Sequence, residues 1–333
     1  MLNSGEKIFM AVITGEFLLG ILVNGFIALV NCIDWVKSKK LSPGDLILVS
    51  LAISRIGLSS TIMCNSYLIE ISTNELITNQ VRMIDVFFLL THSSNIWFAT
   101  VLSIFYFLKI TNFSNPLFLW MKWRIGRMLF ILLWGPWISS LSIGFLMMEK
   151  MYYYANLINI GNKRNGSQEV QVSKNMFIML QTLFGLLTLI PFALSTISFS
   201  LFILSLWRHT QQMQLNATGS RDPSTEAHIR AMKAMSSFLI LFLLYYVGFF
   251  FNYGNHSAVK SKLIFLSSMA IMLLYPFGHS LVLILWNSKL RKAAQRVSWL
   301  MKCFQRGSHL QALWVPLRII GHFLVGGKSS GCL

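Results

Sequence analysis

The chain has 333 residues, of which 55% are hydrophobic and only 12% are charged, and its formal net charge is +17. Soluble globular domains are about one quarter charged, so these few charged side chains cannot cover a surface that faces water. The basic residues form short clusters between apolar runs, which is typical of loops facing an anionic membrane leaflet. Composition therefore indicates membrane lipid as the main surroundings and argues against nucleic acid as a partner.

Seven apolar runs are long enough to cross the roughly 30 Å hydrocarbon core of a bilayer, which takes about 20 helical residues. They cover residues 8–30, 45–71, 83–108, 125–148, 176–207, 232–252 and 263–286. The first run has neither a basic segment before it nor a small-residue cleavage site after it, which favours a retained span over a signal peptide. The sequence therefore predicts an all-α membrane protein, a seven-transmembrane helix bundle.

The distribution of basic residues predicts the orientation of this bundle. Lys and Arg cluster after the first, third and fifth runs and again after Asn287. Because cytoplasmic loops carry the excess of Lys and Arg, we expect the N-terminus outside and the C-terminus in the cytoplasm. Seven spans in this orientation are the layout of G-protein-coupled receptors. An odd number of spans without an internal repeat argues against a transporter of two equal halves, and the isolated polar residues argue against a channel.

The polar segment between the fifth and sixth runs carries signals for the start of a helix. Asp222 is an N-cap residue type, Pro223 suits the first helical position, and Glu226 follows in the first turn. A helix from there to Asn252 would be about 45 Å long at 1.5 Å per residue, longer than the bilayer is thick. The fifth run continues similarly into a polar stretch. Two projecting helices would form a docking surface for a partner, although the same capping also suits a plain loop.

Five stretches closely resemble the bitter taste receptor family, the type 2 taste receptors. They are GEFLLGILVNGFIALVNCIDW, DLILVSLAISRI, WFATVLSIFYFLKITNFSNPLFLWMKWRI, SLWRHTQQMQLNATGSRDPSTEAHIRAMKA and YPFGHSLVLILWNSKLRKA. The resemblance covers about residues 15–302. The vomeronasal type 1 receptors, the main alternative as a chemosensory family, share seven spans but lack the RDPSTEAH loop. The resemblance implies a receptor in the plasma membrane of taste or other chemosensory cells that binds bitter small molecules and activates a gustducin-type heterotrimeric G protein.

The resemblance also implies a ligand cavity in the outer half of the bundle. The residues that it places there, together with two at matching depth in the fifth span, are Phe88, His92, Asn65, Tyr245, Phe249, Phe265, Phe184 and Leu187. Relatives usually carry Trp and Asn at the positions of Phe88 and His92, so their ligand preferences do not transfer. Two alternatives stay open: His92 can be a neutral histidine bonded to a neighbouring helix, and an aromatic stripe at helical spacing can be ordinary packing.

Arg55 lies in the middle of the second span. A charge at this depth costs several kcal/mol unless it is paired or wetted, so Arg55 should face the interior of the bundle. Asn24 lies at a similar depth in the first span. The resemblance implies an intramembrane polar cluster of Asn24, Arg55 and, on the seventh span, Ser280 or its neighbours. This cluster acts either as a structural clamp or as part of a switch.

Four residues are candidates for the switch and for the contact with the G protein, namely Tyr106, Lys109, His209 and His279. The basic, amphipathic segment after Asn287 should lie on the inner leaflet, where Cys303 is either a lipidation site or a free thiol. We therefore expect one receptor domain over residues 1–306 and a tail of unassigned role over 307–333.

The remaining expectations concern modification, catalysis and assembly. Of the four sequons, Asn112 and Asn216 fall on the predicted cytoplasmic side. Asn165, in the second outer loop, is the expected glycosylation site, and Asn255 is an alternative close to the membrane. The chain has no nucleophile–base pair, no metal-ligand spacing and no phosphate-binding loop, so we expect no enzyme activity, no cofactor and no metal. Receptor oligomers are compatible with the sequence.

Overall fold

The computed structural model describes residues 3–40, 42–71, 76–110, 188–215, 223–253 and 262–306, together with scattered positions between 116 and 186. These ranges form α1 (Ser4–Ser38), α2 (Pro43–Ile71), α3 (Leu76–Ile110), α4 (Leu189–Leu215), α5 (Pro223–Tyr253), α6 (Lys262–Trp286) and α7 (Ser288–Arg306). No strand occurs among the described residues. The predicted all-α class is therefore confirmed for this part of the chain.

Within the described ranges, five helical segments are long and apolar enough to cross a membrane. They are Ser4–Ser38, Pro43–Leu68, Val86–Lys109, Met235–Asn252 and Lys262–Trp286, and Leu189–Ser205 is apolar but shorter. Their outward faces expose large apolar side chains such as Leu22 (68% exposed) and Leu285 (60%), as expected of helices that contact lipid. The predicted span 125–148 lies largely outside the described residues, as do Asn165, Asn255 and the 307–333 tail.

Helix boundaries follow local capping chemistry. Asn3 caps α1 and forms a capping box with Glu6, whose carboxylate accepts from the Asn3 N–H at 2.9 Å. The Ser42 hydroxyl accepts from the Asp45 N–H at 3.1 Å, and α2 then begins at Pro43, a proline-tolerant first position. The helix α5 begins at Pro223, where the sequence predicts a helix start.

Within the predicted run over residues 176–207, the described residues include a turn just before a regular helix. Residues 185 and 186 are helical, Thr188 lies in a turn, and the regular helix α4 begins at Leu189. Pro191 has no N–H to donate to the preceding turn, and proline is tolerated in the first turn of a helix. The Thr188 hydroxyl donates to the Gly185 carbonyl at 2.6 Å and accepts a hydrogen bond from Tyr246. The regular helix α4 thus begins after the turn at Thr188, and the bounds of the fifth span stay a prediction.

Small residues let pairs of helices approach closely, as is usual in membrane bundles. A Cβ at Gly248 of α5 would lie 2.9 Å from both the Met272 Cγ and the Ser268 carbonyl oxygen of α6. A Cβ at Gly57 of α2 would lie 2.7 Å from the Thr91 Cγ2 of α3. The bundle core is formed by α1, α2, α3, α5 and α6, with α4 packed against α3 and α5.

Candidate functional site

Four of the predicted ligand residues form an aromatic cluster between α3 and α5. Its members are Phe88, His92, Tyr245 and Phe249, and each is at most 3% exposed. The His92 ring stacks on the other three, with ring centroids 5.5 Å from Phe88, 5.3 Å from Tyr245 and 5.3 Å from Phe249. The two residues on α3 are four apart and those on α5 are four apart, so each pair shares one helix face. His92 is therefore at the centre of the cluster.

A hydrogen bond fixes the orientation of the central ring. His92 Nδ1 is bonded to the hydroxyl of Tyr245, and this contact joins α3 to α5. A buried Tyr normally finds such a partner for its hydroxyl. In this structure His92 is therefore bonded to a neighbouring helix, which was one of the two alternatives. The same residue also lies among the predicted ligand residues.

The other predicted ligand residues lie less deeply or outside the described residues. Asn65 on α2 is half-buried, and Phe265 on α6 is half-buried and packs against the main core. The side chains of Phe184 and Leu187 lie outside the described residues. The ligand roles of all eight residues stay predictions.

A polar cluster joins four helices deeper in the bundle. The guanidinium of Arg55, which is fully buried, donates from Nη1 to the Ser280 Oγ at 2.7 Å and from Nε to the Asn95 Oδ1 at 3.3 Å. The Ser280 hydroxyl lies 2.6 Å from the Asn24 Oδ1, to which it donates. Arg55 Nη2 is also bonded to the ring nitrogen Nδ1 of His279. The structure therefore brings Asn24, Arg55 and Ser280 together through Ser280.

Two members of this polar cluster were missed in the sequence. Asn95 lies on α3, 40 positions from Arg55, and supplies one of its acceptors. Tyr275 lies under the guanidinium, with 5.7 Å between the Arg55 Cζ and the ring centroid, a distance that suits a cation–π contact. An Asn three residues after His92 was a detectable signal, because an amide within a membrane span is a candidate partner for a buried charge.

The candidate switch residues do not lie in one place. His279 is 3% exposed and belongs to the polar cluster, whereas Lys109 lies at the end of α3 with its Nζ 5.5 Å from the Phe105 ring centroid. Tyr106 is half-buried against the core, and the side chain of His209 lies outside the described residues. A direct G-protein contact by His279 does not fit this buried position, so its remaining predicted role is in the switch.

An ion-pair junction closes the end of the bundle beside α7. Lys289 Nζ lies 2.7 Å from the Asp34 Oδ2 of α1 and 3.0 Å from the Asp45 Oδ1 of α2. Asn287 caps α7 by accepting from the Lys289 N–H at 3.0 Å. Burial lowers the pKa of Lys289, but hydrogen bonds to Asp34 and Asp45 and their charges outweigh it and leave the pKa above the ordinary lysine value. Lys289 is therefore charged at neutral pH and holds α7 against α1 and α2.

Comparison with known proteins decides the family. The model of the family described as Taste receptor protein (TAS2R) matches residues 1–302. The chain belongs to this taste receptor family. It is 44% identical over 306 residues to Taste receptor type 2 member 7 of Macaca mulatta, which covers 91% of this chain and 96% of that protein. It is 43% identical over 299 residues to Taste receptor type 2 member 8 of Gorilla gorilla gorilla, which covers 89% of this chain and 97% of that protein.

Membership and the apolar helices together identify a multi-pass membrane receptor of the G-protein-coupled class, with small molecules as its ligands. The taste receptor family is a receptor family, not an enzyme family. Among the residues that the structure describes, no group of three His, Cys, Asp or Glu side chains is placed to hold a metal ion.

Proposed function

We propose that this taste receptor binds bitter small molecules at the aromatic cluster and transmits the signal to a gustducin-type heterotrimeric G protein. The observation that carries the proposal is the stacking of His92 on Phe88, Tyr245 and Phe249 between α3 and α5. A mostly apolar site with few polar groups suits amphiphilic small molecules. Micromolar affinity needs about −8 kcal/mol, which such contacts can supply.

The contacts of the polar cluster support transmission of a conformational change from the aromatic cluster to the other end of the bundle. His92 and Asn95 lie on the same helix, three residues apart, so a shift of α3 at the aromatic cluster also moves an acceptor of Arg55. Arg55 in turn contacts Ser280 and His279 on α6. We propose that agonists shift the population between two arrangements of this network, which requires different affinity for the two.

The proposed topology has seven spans, with the N-terminus outside and the cytoplasmic ends of α4 and α5 forming the docking surface for the G protein. The extension of α4 to Leu215 and the start of α5 at Pro223 support a projection of both helices beyond the apolar segments Leu189–Ser205 and Met235–Asn252. Epitope tags at the amino end and between residues 215 and 223 should be reached from opposite faces of an intact plasma membrane. Labelling of both tags from one face would exclude this topology.

A functional test expresses the full chain with a gustducin-type chimera and records intracellular calcium during exposure to bitter compounds. The expected result is a concentration-dependent response to at least one compound, which disappears when the chimera lacks its gustducin-type C-terminal segment. Surface labelling of the same cells is the control. A correctly delivered receptor that stays silent with every compound would contradict bitter agonists as its ligands.

A further inference from the structure

A cavity lies where the end of α1 meets α7, apart from both buried clusters. Its volume is 190 Å³, smaller than the roughly 300–1,000 Å³ of pockets that bury drug-sized ligands. Val30 and Ile33 of α1 and Ala293 of α7 supply its apolar wall. This size and lining suit a small charged group attached to an apolar body better than a second bitter compound.

The charged lining of the cavity is mainly basic. Lys37, Lys289, Lys292 and Arg296 line it, against the carboxylate of Asp34. Positions 289, 292 and 296 are spaced by three and four residues, so they lie on one face of α7. The cavity therefore presents a cationic face of α7 to α1.

Three of these basic side chains remain available to an anionic ligand. Lys289 already forms ion pairs with Asp34 and Asp45. In the part of the chain that the structure describes, Lys37, Lys292 and Arg296 form no ion pair, and all three are exposed. A guanidinium and ammonium groups around one small cavity are the donors that recognise phosphate.

The surroundings of the cavity place it at the level of lipid headgroups. Trp35 on α1 and Trp299 on α7 are 50% and 42% exposed, and exposed Trp is typical of the membrane–water interface. Leu29 and Val36, which adjoin the lining residues Val30 and Lys37 in the sequence of α1, are 53% and 64% exposed. This apolar surface gives acyl chains a path to the cavity, which a soluble acidic peptide would not use.

We propose that this cavity binds the phosphate headgroup of an anionic phospholipid. The assignment of that lipid to the inner leaflet rests on the topology proposed above. Arg296, Lys292 and Lys37 hold the phosphate, and the glycerol and the first acyl carbons lie against Val30 and Ile33. Because the ligands come from both helices, the lipid ties α7 to α1 beside the Lys289 ion pairs.

The test measures lipid binding to the purified full-length receptor in detergent by native mass spectrometry. The probes are a phosphatidylinositol bisphosphate, phosphatidylserine and phosphatidylcholine, with inorganic phosphate as the soluble arm. The variant is K292Q/R296Q, and the matched control is K40Q/R291Q, which removes two basic residues at the same end of the bundle that do not line the cavity. Circular dichroism and thermal unfolding establish that both variants are folded.

The expected result is preferential binding of the anionic lipids, weakened roughly 30-fold in K292Q/R296Q, because each basic residue at a membrane surface contributes about 1 kcal/mol. K40Q/R291Q should bind them like the unmodified receptor. Equal losses in both variants would show general charge attraction and overturn the proposal, as would an unchanged affinity in K292Q/R296Q. Binding of inorganic phosphate without anionic lipid would assign the cavity to a soluble anion and also overturn it.

Detergent removes any dependence on leaflet, so this measurement is separate from the topology and from signalling. A receptor with the wrong orientation or with no bitter agonist can still give the expected lipid result, and the converse also holds.

Discussion

The two buried clusters of this receptor differ in how they compensate a polar group inside a membrane bundle. The polar cluster holds the cation of Arg55 with Asn95, Ser280 and His279, and a bond from Ser280 to Asn24 continues it to α1. In the aromatic cluster, stacking surrounds His92, which is hydrogen-bonded to Tyr245. Removing the charge of Arg55 from the polar cluster leaves several buried polar groups unpaired. A substitution in the aromatic cluster mainly alters the shape of the proposed ligand site. The polar cluster should therefore govern folding and the aromatic cluster ligand response.

The largest expected effect is that of Arg55→Met. The substitution leaves Asn95, Ser280 and His279 without their shared donor, and breaking a buried charged network by removing one partner costs about 3–5 kcal/mol. We expect a large fall in surface delivery and in the thermal stability of the purified receptor. The control is Ile53→Met, because Ile53 is 58% exposed on the same helix. If Arg55→Met is as stable as the unmodified receptor, the polar cluster does not govern folding.

His92→Ala should change agonist potency by at least about tenfold while surface delivery stays intact. It removes the ring on which three aromatic side chains stack, and each stacked pair contributes about 0.5–1.5 kcal/mol. Concentration–response curves and surface labelling of the same cells measure the two quantities. A loss of delivery would instead make His92 a structural residue and the two clusters alike.

Tyr245→Phe isolates the hydrogen bond from the stacking. Only the hydroxyl that bonds to His92 is lost, and a net contribution of about 1 kcal/mol predicts roughly a fivefold change in agonist potency. The matched control is Phe251→Leu on the same helix, because Phe251 is 54% exposed. If Tyr245→Phe responds like the unmodified receptor and His92→Ala does not, stacking alone carries the effect.

Ser280→Ala should have a smaller effect on stability than Arg55→Met, although both residues belong to the polar cluster. Hydrogen bonds between membrane helices contribute about 0.6 kcal/mol on average, and Arg55 keeps Asn95 and His279 as partners. Thermal unfolding of the two variants under identical conditions measures the difference. Equal losses would mean that Ser280, and not the charge, organises the cluster.

The smallest effect is expected outside both clusters, at Lys289. Lys289→Gln should lower stability by less than about 1 kcal/mol, because the partner side chains are 18–52% exposed and ion pairs near water contribute little. The folded pKa is raised, so the contribution is full at neutral pH and is lost only as the pH rises through that value, above about 10.4. Unfolding of both proteins should therefore differ by a constant amount from neutral pH to about pH 9. If the difference in stability disappears between neutral pH and about pH 9, Lys289 does not stabilise the receptor as a charged partner of Asp34 and Asp45.

The sequence alone determined the class of the molecule and part of each cluster. Apolar length and the scarcity of charge require helices in lipid, because only a helix satisfies its own backbone there. Arg55 was recognisable because a charge in a span has to find partners. Pro223 was recognisable as the start of α5 because proline suits the first helical position. Each of these signals depends on residues that are close together in the chain or on a single improbable residue.

Tertiary structure decided which residues meet. The packing of α2 against α3 and α6 makes Asn95 and Tyr275 partners of Arg55. The same packing brings His279 to Arg55, whereas the other switch candidates lie elsewhere. The stacking of His92 on Tyr245 joins positions 153 residues apart. Helical periodicity gives the face on which a side chain lies but not the rotation and depth of the neighbouring helix. Those depend on close contacts such as that of Gly248 with Met272, which arise only when the helices are packed together.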